Sequence, residues 1–414
     1  MKPYDIIVIG GGPAGIFAAG FAALNGATVL LLEKNRRCGA KVLITGKGRC
    51  NVTNCEDDPR KLAARFGRQG KALLTALYGF GRDEVIDFFE SRGLKLRIER
   101  GGRIFPEQGG AAEVQLVLDR FLQESGVDLR TSCKVEGLVI SAGRVSGVKI
   151  AGALLAADKV IIATGGRSYP ETGSTGDGYR WAVQTGHRLI TPEPALVPVR
   201  LAADWTAEAS HFNLKNVRIR VLASGRQLDE RFGEAFFTRT GIGGPIVLDM
   251  SAGIRDALKV GPVQLEIDFK PAIDAFTFDS RLQRELAEQG KKDFRNALGS
   301  LLPKALIPIF IRRSGIDPMK KCHHVTGPER QQLLTQFKAM LLEVTGVGDF
   351  KRAIVTSGGV ALTDIDMRTM ASKKINNLYF AGEVVDLDGP TGGFNLQVCW
   401  STGYLAGVSA AEAD

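Results

Sequence analysis

Histidine and cysteine are scarce: the chain has four of the first and six of the second in 414 residues. The thiols of Cys38, Cys50, Cys55, Cys133, Cys322 and Cys399 are dispersed along it, which excludes the dense disulfide framework of a small secreted domain. The opening "MKPYD" lacks the charge-then-apolar order of a secretory leader, so a reducing cytoplasm is the expected location. Nothing near Cys50 and Cys55 supplies two further ligands, and no metal site is expected. Internal repeats and low-complexity tracts are also missing. Ile6 to Leu32 carries no charge and is long enough to span a bilayer. However, "GGGP" and Asn25-Gly26 break it into strand, helix and strand, and no membrane span is expected.

What is present is glycine, fifty residues of it, in a chain whose 44% hydrophobic and 24% charged content belongs to an ordinary globular protein. Glycine in such a chain marks tight turns and close backbone approaches to a ligand. The length allows about two to three domains. A formal charge of +9 raises the prospect of a polyanionic partner, either nucleic acid or a phosphate-rich cofactor.

The segment "YDIIVIGGGPAGIFAAGFAALNGATVLLLEK" reads as a complete βαβ unit around Gly10-x-Gly12-x-x-Gly15. Gly10 permits the turn, Gly12 lets a pyrophosphate approach the backbone, and Gly15 lets helix and strand pack closely. The helix amides, with Pro13 and Ala14 in the first turn, face the anion. Glu33, 18 residues after Gly15, is placed to accept hydrogen bonds from both hydroxyls of an adenosine ribose. This unit suits FAD or NAD equally. Two distant segments bear on the choice. A strand from Val160 to Ala163 runs into Thr164-Gly165-Gly166, and a second ends in Gly382-Glu383, followed by a glycine-rich loop and a helix from about Asn395. Together the three parts match a glutathione-reductase-type FAD domain.

The stretches "TGKGRCNVTN", "GGRIFPEQGGA", "VIIATGGRSYPETGSTGDGY", "GEAFFTRTGIGGPIVLDMS", "VTSGGVAL" and "LYFAGEVVDLDGPTGGFNLQVCWSTG" resemble, in order, the signature blocks of the BaiN/RdsA family of NAD(P)/FAD-dependent oxidoreductases, also called YhiN-like flavoproteins. The resemblance covers nearly the whole chain. It implies an α/β fold in which a discontinuous FAD domain, 1–190 and 355–414, carries a β-rich insert, 191–272, and a mainly helical one, 273–354. It also implies FAD as cofactor, NAD(P)H as reductant and a carbon-carbon double bond as target. The preferred substrate is uridine in large-subunit ribosomal RNA, reduced to dihydrouridine. A small hydrophobic enone such as a bile-acid intermediate is the alternative, and a non-catalytic, RNA-associated flavin sensor is a third reading.

The candidate cofactor contacts follow. Besides the glycine-motif residues they comprise Glu33, Lys34, Lys41, Lys47, Gly48, Arg49, Val135, Ala163, Thr164, Gly165, Gly166, Gly382, Glu383, Gly392, Gly393, Phe394 and Asn395. Lys41, Lys47 and Arg49 would offer charge to the pyrophosphate. The C-x4-C pair Cys50/Cys55 has the spacing of a redox disulfide, but no second glycine-motif unit and no C-terminal dimerisation domain accompany it. Cys50 is read instead as a buried filler or as the acid near the flavin, and it is the catalytic candidate because double-bond reduction needs a proton beside the hydride. Basic clusters at "KNRR", "RGLKLRIERGGR", "RRSGIDPMKK" and "KKCHH" suit RNA phosphate or solvent alike.

Overall fold

The computed structural model describes residues 4–210 and 212–412; His211 and the extreme termini lie outside the described residues. The chain forms two compact units, Met1–Ala195 with Phe350–Asp414, and Leu196–Asp349. The division between them falls inside the proline-rich "TPEPALVPVRLAADW".

The first unit is organised by a nine-stranded sheet. Its centre is parallel, with β1 (Tyr4–Ile9) between β2 (Val29–Leu32) and β3 (Ala153–Ile162). Beyond β3 lies β4 (Leu378–Phe380), also parallel, so the last part of the chain completes a sheet begun by the first. Ile6 to Val8, Leu30 and Val160 to Ile162 are fully buried, as strands covered on both faces must be. Helix α1 (Pro13–Leu24) follows β1, and α2 (Phe394–Glu412) crosses it. The crossing is close because small residues make it: a Cβ on Gly403 would lie 2.4 Å from the Ala14 carbonyl oxygen, and one on Gly407 2.4 Å from that of Ala18. Beside it, Phe17 packs among Phe80, Phe88, Phe121 and Trp400, with ring centroids 4.6 to 6.0 Å away. Burying each such ring contributes about 1.5–3 kcal/mol.

The second unit is a closed six-stranded barrel with helices packed on it. Its long hairpin pairs Asn213–Ala223 with Arg226–Thr238, and Val263–Asp268 flanks the hairpin. The sixth strand, Met340–Val347, corrects the sequence reading, in which helical spacing runs through "ERQQLLTQFKAMLLEV". The helix stops at Lys338, and Met340, Leu342 and Val344 then alternate inward with exposed Leu341 and Glu343, a period of two. Phe278 and Phe310 pack on Phe337 at 4.9 and 4.8 Å, joining the helices into one core.

Candidate functional site

A crevice opens at the carboxyl ends of β1, β2 and β3. Gly10 takes φ 106°, and a Cβ there would lie 2.5 Å from the Ala163 carbonyl oxygen, so the end of β1 can approach the end of β3 only without a side chain. A Cβ on Gly15 would stand 1.8 Å from the Gly10 carbonyl oxygen. Gly12 differs: nothing lies within 4 Å of its would-be Cβ, and the open space is the crevice itself. No side chain caps α1 at Gly12, so the amides of the first turn remain for a ligand.

The Glu33 carboxylate, at the end of β2, is held at both oxygens. Oε2 accepts from the Gly11 amide and Oε1 from the Asn35 amide, each at 2.7 Å. Each oxygen keeps lone pairs for the crevice. Thr164 also lines the crevice, but its Oγ1 is buried against Gly178, 2.3 Å from where a Cβ would stand there, and has no hydrogen-bond partner among the described residues. An uncapped helix start and a fixed carboxylate in one cleft fit the pyrophosphate and ribose hydroxyls of a dinucleotide such as FAD.

One wall is an ion-pair network drawn from four remote segments. Lys41 Nζ donates to Glu383 Oε2 at 2.7 Å and to Ser168 Oγ at 2.5 Å. Glu383 Oε1 accepts from Ser168 Oγ at 2.7 Å and from the Thr356 amide at 2.8 Å. Burial alone would push the Glu383 carboxyl up, but the Lys41 ammonium and the hydrogen bonds from Ser168 and Thr356 outweigh it, and the net shift is down. Beside it Cys399 lines the crevice, its thiol pushed up to about 12 chiefly by burial. At the far end Lys34 Nζ bonds Asp177 Oδ2 at 2.8 Å and Thr175 Oγ1 at 2.6 Å, and Asn35 Nδ2 donates to the Thr172 carbonyl at 2.9 Å. These contacts tie the end of β2 to the loop after β3.

Residues 4–409 match the family described as HI0933-like protein Rossmann domain. The chain belongs to this family. It is a family of flavoprotein oxidoreductases. A 3-dehydro-bile acid delta(4,6)-reductase of Clostridium scindens is 34% identical over 409 residues, 98% of each chain. A ribosomal RNA dihydrouridine synthase of Escherichia coli is 28% identical over 404 residues, 98% of this chain and 97% of the relative. Among solved structures, 3-ketosteroid delta1-dehydrogenase of Sterolibacterium denitrificans aligns over 100% of both chains with a TM-score of 0.56 at 16% identity, a likeness of fold.

In this HI0933-like chain the crevice gathers many of the expected residues: Gly10, Gly12, Pro13 and Ala14 from the glycine motif, Glu33 and Lys34 from β2, Lys41, Val135, then Ala163, Thr164 and Gly165, and finally Glu383. Gly15, Gly166 and Gly382 stand behind the wall as close approaches; a Cβ on Gly382 would lie 2.6 Å from that of Ala14. The rest lie elsewhere. Lys47, Gly48 and Arg49 are exposed and do not line the crevice, and the Arg49 guanidinium is bound to Glu99 and stacked 4.1 Å from the Phe105 ring centroid. Gly392 and Gly393 lie in the loop before α2, and Phe394 and Asn395 are its first two residues; none of the four lines the crevice. Asn54 Nδ2 donates to the Gly392 carbonyl at 2.9 Å, Thr53 lies against Gly393, Phe394 packs on Phe66, and the Asn395 amide clamps Gly389.

Cys50, read as a buried filler or as the acid near the flavin, stands outside the crevice. It is 0% exposed and is not among the crevice-lining residues, and burial pushes its thiol up to about 12. That enclosure is the environment of a packing residue. Cys50 and Cys55 are both free thiols. The basic clusters are partly spent on ion pairs: Lys320 with Glu329, Lys321 with Asp293, Arg312 with Glu208. Among the described residues no group of three His, Cys, Asp or Glu could hold a metal ion, and no helix is long and apolar enough to cross a membrane.

Sequence reasoning missed Asn35, Ser168, Asp177, Trp181, Thr356 and Cys399. Ser168 and Asp177 stand within the quoted "GGRSYPETGSTGDGY", where polar residues after a strand end are the available signal. Trp181 reads as the apolar face of a helix, and Thr356 stands within the quoted "VTSGGVAL", where nothing in the pattern singles it out.

Proposed function

We propose that the crevice holds FAD, and that the chain reduces a carbon-carbon double bond conjugated to a carbonyl, with NAD(P)H as reductant and uridine of large-subunit ribosomal RNA as preferred substrate. The observation that carries this reading is the pair of polar features at the ends of β1 and β2: the uncapped α1 amides and the two-sided Glu33 carboxylate. When bound, FAD supplies the carrier that passes hydride from NAD(P)H to the substrate. Glu33 accepts from the ribose hydroxyls and fixes the adenosine end. The α1 amides, with the helix dipole behind them, offset the charge of the pyrophosphate. The Lys41–Glu383–Ser168 network keeps the crevice wall rigid and charged. Reduction of uridine adds hydride to one ring carbon and a proton to its neighbour.

The RNA substrate is supported by the synthase-named relative and by the +9 charge. A second reading, a small hydrophobic enone, is favoured by the higher identity, 34%, to the bile-acid reductase. Nucleoside mass spectrometry of ribosomal RNA from a deletion strain separates them. Loss of a dihydrouridine supports the first reading. Unchanged ribosomal RNA, together with NAD(P)H oxidation by the purified protein on a conjugated steroid ketone, selects the second.

A further inference from the structure

The unit Leu196–Asp349 carries its own concavity, a cleft of ≈ 540 Å³ at a rim of the barrel. That size falls within the range of small-molecule pockets, and barrel mouths are a preferred place for them. Leu214, Phe269, Leu302 and Leu306 give it an apolar floor. Two cations edge it, Lys215 and Lys270.

Both lysines are placed by local structure. The strand Asn213–Ala223 is bulged between Leu214 and Val217, with Asn216 at φ 56°. A bulge re-aims side chains, and Lys215, inside it, lines the cleft. Lys270 is half-buried and has no carboxylate partner among the described residues. Asp268, two residues earlier, is already spent: Oδ2 is paired with Lys338 Nζ at 2.8 Å, and Oδ1 accepts the Lys270 backbone amide at 2.8 Å. Lys338 also donates to the carbonyls of Lys270 and Ile273, at 2.7 and 2.6 Å, which pins the turn carrying Lys270. Burial pushes the Lys270 ammonium down from its ordinary value, and the like charge of Arg281 adds to it. A cation beside apolar surface with no counter-ion is costly, and a ligand carboxylate would relieve that cost.

We propose that this rim cleft binds an amphipathic carboxylate, with its apolar body on the leucine and phenylalanine floor and its charged end at Lys270, Lys215 being the outer cation. The single head group follows from lysine, a point charge, rather than the bidentate fork of arginine.

The test titrates the full chain calorimetrically with decanoate and, as uncharged control, 1-decanol. Saturable decanoate binding is expected, weakened about tenfold in Lys270→Met and kept within about threefold in Lys270→Arg, since a charge-assisted contact is lost in one and retained in the other. Decanol affinity should be the same in all three proteins. Decanoate should raise Tm in wild type but not in Lys270→Met, whose ligand-free Tm should not fall, because the substitution removes an uncompensated charge. Equal decanoate affinity in wild type and Lys270→Met would overturn the proposal, as would the absence of saturable binding to wild type.

Discussion

The residue on which most depends is Glu33. Its carboxylate is aimed by the Gly11 and Asn35 amides, so Glu33→Ala should remove two charge-assisted contacts to a ribose while leaving β2 intact. The expected loss is about 2–3 kcal/mol in FAD affinity, read as flavin fluorescence released on dilution. Cys50 behaves differently. Cys50→Ala should cost about 1–2 kcal/mol of stability through the cavity it leaves, yet change turnover per flavin-loaded molecule less than about threefold. A fall of about a hundredfold or more would return the proton-donor role to Cys50. The Glu383 carboxyl is held below its ordinary value, so its contribution to stability is present above the unfolded carboxyl pKa and is lost as pH falls through the folded one. Lys41→Met should flatten that acid limb in melts taken as a function of pH, because the ammonium is the first charge that offsets burial there.

At the scale of elements, the close approaches are the least tolerant features. A methyl group on Gly15 would meet the Gly10 carbonyl 1.8 Å away, backbone against backbone, with no side chain to yield. Gly15→Ala should therefore destabilise by about 3 kcal/mol and give colourless protein, which thermal melts and absorbance would record together. This is also the part that the sequence made legible: a glycine motif, an apolar run before it and an acid after the second strand describe β1, α1 and β2 in consecutive residues. The other glycine-bearing strand ends, Thr164-Gly165 and Gly382-Glu383, could be read because the residues just before them, Val160 to Ile162 and Leu378 to Phe380, are apolar runs. What could not be read is how remote polar residues pair. That Lys41 meets Glu383 and Ser168, and that Arg49 meets Glu99 instead of the crevice, depends on segments 342, 127 and 50 positions apart, which leave no periodic trace. The strand Met340–Val347 was hidden for another reason: its first apolar residues continue the spacing of the helix just before it.

Over the whole molecule, cationic residues outnumber acidic ones by 54 to 45, and many of the former are paired. Any association with RNA should then rest on the unpaired remainder and weaken steeply as salt rises, with a log-log slope set by the few phosphates contacted. Retention of a uridine-containing oligoribonucleotide at increasing potassium chloride measures it, and a flat profile would argue for an uncharged substrate. The sheet of the first unit has one more consequence. Because β4 and α2 come after Phe350 while β1 to β3 precede Ala195, the crevice wall containing Glu383 and Cys399 does not exist until the segment beyond Phe350 has been made. Nascent chains halted on the ribosome at Asp349 should thus fail to retain flavin, and loading becomes a step that waits for the intervening unit to be made.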